Sequence, residues 1–571
     1  MAEPYYIDED IGKDDDSAVG TPTAPYKTLL HAMKCHPPQS SKYMTRKGGP
    51  DGPGDYKAAS DSAMKKATKL YQQHLRKQEK NADAEVKARE EEMRRLKILE
   101  DAKSVVIEED KSLPEAKRIR LDDTEGVTLG TAEKKGTRVK VMGRVHRLRS
   151  QKDVIFITLK DGYGHMQVVF GGDLIRTYAA LTLTLETSLE IKGQMRELPP
   201  KANAPLNREL HADFFRVIGA AAGDKEAITN KVQAGGDPQT LLDQRHLVLR
   251  GDVLSSVMKV RAAVLRAFRQ AYVETRCLEV APPSMVQTQV EGGATLFGFK
   301  YYDEEAYLTQ SSQLYLETCL PSMGDVFCIC PSFRAEKSLT RRHLSEYMHV
   351  EAELDFIEFD DLLNHLETVI CRVIELVLQD PVIASYVKEL NPDFKPPSNP
   401  FKRIKYADAI EWLNEHKIDF DDEDVPEDHP ERKRPHRFGD DIAEAAERQM
   451  TDILNVPIFL THFPLEIKAF YMPKDPSDPR VAQAVDLLMP GVGEIVGGSM
   501  RIWDYEELIA AYHRVGIDPA PYYWYTDQRK YGTSPHGGYG LGLERFLAWL
   551  CGRFTVRECV LYPRFTNRCT P

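Results

Sequence analysis

The segment VFCICPSFRAEKSLTRRHLSEYMHVEAE, residues 326–353, decides the reading of this chain. Its apolar ends flank a charged middle, a pattern that predicts two antiparallel strands joined by a loop. The first strand ends on Phe333, Arg334, Ala335 and Glu336, and the second alternates, so that Tyr347, His349, Glu351 and Glu353 share one face. An arginine leaving a strand into a loop rich in arginine and histidine suits a nucleotide phosphate held on a sheet rather than in a glycine-rich loop. The competing reading is an edge hairpin with a solvated ladder of ion pairs. The rest of the chain has to separate the two.

A length of 571 residues allows two to four domains with a substantial core. The formal net charge is −12, so a nucleic-acid partner has to be met by a local basic patch. None of the nine cysteines forms a C-x-x-C pair and most lie in apolar runs, which argues against a zinc site or disulfide framework and for a reducing compartment. Cys328 and Cys330, two apart on one buried strand, read as core. The N-terminus, MAEPYYIDEDIGKDDD, has no apolar leader core, and no apolar run approaches the roughly 18 residues of a membrane span. The expectation is a soluble cytoplasmic protein without a membrane partner.

Residues 1–56 read as a small N-terminal element with Tyr5, Tyr6, Tyr26, Leu29 and Leu30, ending in GGPDGPGD (48–55). Residues 57–105 lack glycine and proline and are helical by composition. In their first half Lys57, Lys65, Lys66, Lys69, Arg76, Lys77 and Lys80 stand against only Asp61 and Glu79. That basic stripe is either a phosphate-backbone contact or a solvated helix face. After a polar linker (106–133), residues 134–222 hold short alternating strands broken by glycine turns, which predicts a small closed barrel of the OB type. Its second and third strands would present Arg144, His146, Arg147, Arg149, Phe156 and Gln167. An aromatic ring flanked by arginines and an amide suits unpaired bases, unless Phe156 is simply core.

From 237 to 571 helices and strands alternate without βαβ spacing, which predicts an α+β domain built on an antiparallel sheet. A helix over 253–274 leads into a strand at CLEVAPPSM (277–285), and DFDDEDVPEDHPERKRP (419–435) reads as a mobile charged insertion. Near the C-terminus, GEIVGGSMRIWD (493–504) sets Glu494 and Arg501 around a Gly-Gly that lets a ligand approach the backbone. In HGGYGLGLERFLAWL (536–550) a glycine-rich strand feeds a helix carrying Arg545. Its glycine spacing does not fit a dinucleotide fingerprint.

The segment ending in Pro283, the FRAE…RHLSEY hairpin and the GLGLER strand–helix resemble motifs 1, 2 and 3 of the class II aminoacyl-tRNA synthetases. With an OB barrel ahead of them, the resemblance is to the subclass charging aspartate, asparagine and lysine, and it runs from about residue 136 to the end. The N-terminal extension and its basic helix resemble the region appended to the eukaryotic cytosolic asparagine enzymes. The resemblance implies that Arg334 and Arg545 are catalytic, Arg334 on the α-phosphate of ATP, with the adenine between Tyr347 and Arg545. It implies that Arg545, His343 and Arg342 meet the terminal phosphates, that Glu336 serves the adenine or ribose, and that Leu344 and Gly542 complete the ATP site. Glu494, with Asp486, would hold Mg²⁺. Some aspartate enzymes have a serine where this chain has Gly497.

The same resemblance addresses the amino acid. In QSSQLYLE (310–317), Leu316 stands where the aspartate enzymes carry a lysine for the substrate carboxylate. Losing that cation would cost an aspartate ligand roughly several kcal/mol. Glu351 stands where those enzymes have an aspartate, and it can accept from a carboxamide whose oxygen Arg501 serves. Asparagine fits both and aspartate is repelled. Glu291, in the lid QVEGGATLF (289–297), with Ser311, Gln313 and Arg334 would hold the rest of the amino acid. Arg147, Phe156 and Gln167 would bind the anticodon of tRNA(Asn), Phe156 stacking on its central uridine. The first motif, with Pro283, implies a homodimer. The rival readings are an aspartate enzyme, a non-catalytic RNA-binding protein on the same fold, and an amide-forming ligase that needs no tRNA.

Overall fold

A computed structural model describes residues 3–49, 52–131, 133–290, 296–337, 339–422, 425–426, 429 and 432–571. The chain divides into two compact units, Met1–Ile228 and Thr229–Pro571.

In the first unit β1 (Tyr5–Asp8) pairs in parallel with β2 (Tyr43–Arg46), which pairs antiparallel with β3 (Lys57–Ala58), and α1 (Leu29–Cys35) lies between the first two in sequence. Ser60 caps the long helix α2 (Asp61–Ala102). Ala67 and Tyr71 of α2 are buried with Ile7, Tyr26, Ala32, Met33 and Tyr43. The expected boundary at 56 therefore does not separate two elements. The first turns of the helix complete the core of the N-terminal sheet, because so short a sheet needs a third apolar face to bury.

The predicted barrel is present. Strands β4 (Lys117–Arg118), β5 (Arg138–Gln151), β6 (Val154–Lys160), β7 (His165–Gly171), β8 (Ser188–Glu197) and β9 (Arg208–Gly219) form a sheet of order β8-β9-β7-β6-β5-β4, closed by pairing of β8 with β5. Strand β4 lies in the stretch 106–133 read as a linker, and that reading is corrected. Ile119 and Leu121 enter the barrel core, and Glu109 pairs with Arg138 and Lys192. The polar composition hid two apolar side chains that the barrel buries.

The second unit is built on eight strands: β10 (Leu278–Glu279), β11 (Val326–Phe333), β12 (Glu346–Asp355), β13 (Lys402–Lys405), β14 (Ile458–Thr461), β15 (Ala484–Met489), β16 (Gly493–Met500) and β17 (His536–Gly542). Their order is β10-β11-β12-β17-β16-β15-β14-β13. The sheet is antiparallel as expected, except that the edge strands β10 and β13 pair in parallel. The strand expected over 277–285 shrinks to β10, because Pro282 and Pro283 lack the N–H a ladder requires. Helices α3 (Asp252–Glu274) and α5 (Phe359–Gln379), with α7 (Leu543–Leu550), cover one face. Phe268, Tyr272, Leu366, Val373 and Phe546 pack there on Val350, Ala352 and Leu541 of the sheet. The other side of β12 is left for chemistry.

The ends of the insertion at 419–435 are paired, Phe420–Asp421 against Lys433–Arg434, with Arg432 on Asp421 at 2.7 Å and Arg434 on Asp440 at 2.6 Å. Its residues 423–424, 427–428 and 430–431 lie outside the described residues. Among the described residues no helix is long and apolar enough to cross a membrane.

Candidate active site and nucleic-acid face

Strand β12 sets His349, Glu351 and Glu353 on the open face of the sheet, opposite the core side chains of Val350, Ala352 and Leu354. Its neighbour β17 has glycine at both facing positions: Glu351 pairs with Gly540 and Glu353 with Gly538. A Cβ on Gly538 would collide with the Glu353 carboxylate, and one on Gly540 with the His349 ring. The glycines of this strand thus make room for side chains of the neighbouring strand rather than for a ligand. In β16, Gly497 does face the cleft, where a Cβ would lie 3.5 Å from Glu494 and 3.6 Å from Asp486.

The cleft has a volume of about 510 Å³ and gathers Ser311, Gln313, Arg334, Glu336, Arg342, His343, Leu344, Tyr347, Glu351, Asp486, Glu494, Arg501, Gly542 and Arg545. Every site residue expected in this unit is there except Pro283, which is exposed, and Glu291, which lies outside the described residues together with 292–295 of the expected lid. The lid's first residues are anchored, the Gln289 carbonyl accepting from Tyr522 at 2.8 Å. The Leu344 side chain belongs to the core, so only its backbone is left for a ligand.

At one end of the cleft, Arg545 donates to Glu494, and Arg342 stands 3.4 Å from Glu494, 3.6 Å from Glu447 and 3.7 Å from Glu444. Nε and Nη1 of Arg342 are buried without a hydrogen bond among the described residues, as suits a guanidinium whose proper acceptor is a ligand. Burial works against ionisation of Glu494, but Arg545, Arg342 and Lys468 outweigh it and hold the carboxyl down at about 2. Asp486 goes the other way: burial raises it to about 6 despite Lys468 at 3.0 Å. Burial likewise lifts Glu447, on α6 (Glu444–Leu454), to about 8, with Glu494 adding to the rise. His343 is lowered by burial and by Arg545. Behind Arg545, Glu544 accepts from Met348 N–H at 3.1 Å and Arg261 at 2.6 Å, which ties α7 to β12 and α3.

At the other end of the cleft, Glu351 caps the start of α4 (Gln313–Met323). It accepts from Ser311 Oγ and from the Ser312 N–H at 2.9 Å. Arg501 donates to Glu353 at 2.6 Å and to Ser499. Burial raises Glu353 to about 7, yet only the ionised form satisfies the Arg501 donors that converge on it. Leu316 does not line the cleft. It is fully buried against Leu320, Val326 and Cys328, while Gln313 lines the cleft and donates to the buried Glu317, one helical turn on.

In the first unit, the barrel face away from the core carries two cross-strand rows. One reads Arg149, Phe156, Val169, His211, and the other Arg147, Thr158, Gln167, Glu209. Phe156 is half-buried on that face, not core, and Arg149 sits 5.0 Å over its ring. Gln167 donates to Glu209 at 2.9 Å and His211 lies 2.7 Å from the same carboxylate. Sequence reasoning missed Glu209, Glu317, Glu444 and Glu447. No local pattern marks them, because each meets partners distant in sequence.

An antiparallel sheet with arginines and acids converging on one face, helices on the other, and a separate OB barrel define a class II aminoacyl-tRNA synthetase. Phenylalanine, glutamine and arginine on the barrel face agree with that class. The match to tRNA synthetases class II (D, K and N) covers residues 237–566, that to the OB-fold nucleic acid binding domain 139–218, and that to the asparaginal-tRNA synthetase N-terminal domain 21–114. The cytoplasmic asparagine–tRNA ligase of Saccharomyces cerevisiae is 52% identical over 99% of both chains, and that of Homo sapiens 48% identical over 100% of both. The asparaginyl-tRNA synthetase of Entamoeba histolytica, solved in complex with asparaginyl-adenylate, superposes with a TM-score of 0.73 at 43% identity, covering 80% of this chain and 100% of its own. The chain belongs to the asparagine–tRNA ligase family.

Proposed function

We propose that this chain is a cytoplasmic enzyme that activates asparagine with ATP and transfers it to the 3′-terminal adenosine of tRNA(Asn). In the first step a carboxylate oxygen of asparagine attacks the α-phosphorus, the bond to the β-phosphate breaks and pyrophosphate leaves. The nucleophile is already ionised at neutral pH, so positioning and charge neutralisation carry the rate. Arg334 steadies the α-phosphate, Arg342, His343 and Arg545 take the terminal phosphates, and Tyr347 and Arg545 enclose the adenine.

The carboxylates of Asp486 and Glu494 flank the open space at Gly497, a donor set suited to Mg²⁺, which takes one or two carboxylates together with phosphate oxygens. Bound there, the ion would offset the charge of the ATP phosphates.

The observation that carries the choice of amino acid is the state of Glu351. Its Oε1 accepts from Ser311 and Ser312, whereas Oε2 accepts one nitrogen donor and retains capacity for the N–H of a carboxamide. An aspartate side chain there would set carboxylate against carboxylate. Phe156, Gln167 and Arg147 read the anticodon, and the exposed apolar residues Val273, Leu278 and Met285 around Pro283 suit pairing with a second copy. The test is ATP–pyrophosphate exchange without tRNA, comparing asparagine with aspartate. Exchange with asparagine alone is expected, and exchange driven by aspartate would overturn the reading.

A further inference from the structure

Glu317 touches nothing that reacts, yet it sits where the amino-acid pocket is organised. Its side chain is fully buried. Oε2 accepts from Arg529 at 2.6 Å, Tyr525 at 2.8 Å and His536 at 3.0 Å, and Oε1 accepts from the Gln313 amide at 3.1 Å. Arg501 Nε lies 3.8 Å from Oε1. Burial opposes its ionisation, but Arg529, His536 and Arg501 outweigh burial and hold the carboxyl far below the ordinary range.

An ionised carboxylate only accepts, so the atom of Gln313 facing Glu317 has to be the amide nitrogen. The carbonyl oxygen of Gln313 is thereby the end left for the cleft, where it can accept from an α-ammonium group. Arg501 is bracketed by Glu353 at 2.6 Å and Glu317 at 3.8 Å. Compensated from both sides, it meets a ligand as a hydrogen-bond donor rather than as a bare cation. A donor suits the oxygen of a carboxamide, and an uncompensated cation would suit a carboxylate.

We propose that Glu317 is a positioning residue that fixes the amide of Gln313 and compensates Arg501, so that the pocket accepts asparagine rather than aspartate. The proposal rests on the asparagine reading above and adds a residue that no substrate atom touches.

The test is Glu317→Gln in the full-length protein, assayed by tRNA-independent pyrophosphate exchange. The KM for asparagine is expected to rise about tenfold or more with the KM for ATP unchanged, and the preference for asparagine over aspartate to fall by about tenfold. An unchanged preference, or asparagine and ATP parameters worsening together, would overturn it. If that variant does not fold, Tyr525→Phe removes one donor while keeping the ring. It should raise the asparagine KM about two- to threefold without touching that for ATP, and no change would sink the proposal. A wild-type protein that exchanges with aspartate would instead overturn the asparagine reading itself.

Discussion

Through a single Nη1, Arg545 donates to both the backbone carbonyl and the carboxylate of Glu494, at 3.1 and 3.0 Å. On the reading proposed above, the cation that serves ATP and an acid suited to its metal are thus paired with each other. On the same reading, ATP would exchange this pair for phosphate contacts. Arg545→Ala is expected to lower kcat/KM for ATP in pyrophosphate exchange by about 10²–10³. Arg545→Lys should recover little, since an ammonium lacks the planar fork and the flat surface for a base.

The loop between β11 and β12 is braced by the C-terminal tail. The Glu336 carbonyl accepts from Thr566 Oγ1, the Ser345 N–H donates to the Arg564 carbonyl at 2.7 Å, and Val556 N–H to that of Arg341 at 3.1 Å. A chain ending at Tyr562 loses the first two bonds, each worth about 0.5–1.5 kcal/mol. Steady-state exchange kinetics of that truncation should show the KM for ATP raised about tenfold, with tRNA affinity unchanged.

On the barrel, Glu209 holds the Gln167 amide nitrogen and so turns its carbonyl oxygen outward, the atom that can accept from the N–H of a uracil ring. Glu209→Gln can donate as well as accept, and it releases that orientation. A loss of about tenfold in tRNA affinity is expected, against roughly 5- to 150-fold for Phe156→Ala, whose ring would stack on a base. Filter binding measures both, and tRNA-independent exchange should stay at the wild-type rate.

Lys65, Lys66, Lys69, Arg76, Lys77 and Lys80 are all exposed on α2. If they meet phosphates, deleting residues 1–105 weakens tRNA binding and flattens its dependence on salt, while adenylate formation persists. Titrations at several salt concentrations check this, and equal affinity at low salt would assign the stripe to solvent.

His365 of α5 has Nε2 buried without a hydrogen bond among the described residues, and its ring stacks 6.3 Å from that of Tyr272. Burial pushes its pKa from 6.5 down to about 4. The unfolded chain therefore takes up a proton at higher pH than the native one. The contribution of this group is intact above pH 6.5, falls as pH drops through the interval down to about 4, and is fully lost below it, a change of about 3 kcal/mol. His365→Phe should make the fall in melting temperature between those pH values shallower than in the wild type.

Elements governed by short-range rules were legible in the sequence. The alternation of Tyr347, His349, Glu351 and Glu353 assigned a face to β12, and the barrel strands placed Phe156 and Gln167 on one face, because a strand reverses its side chains at every residue. The order of the three motifs identified the sheet that gathers Arg334, Glu494 and Arg545. Only the tertiary structure could decide the partners. Leu316 turns into the core while Glu317 reaches residues more than 200 positions away, and Glu447 meets Arg342 from a helix that carries no motif. Residues 117–121 read as linker by composition and become barrel by pairing with β5. Periodicity determines which way a side chain points. What it meets there depends on burial and charge brought together by chain closure, and no local pattern encodes that.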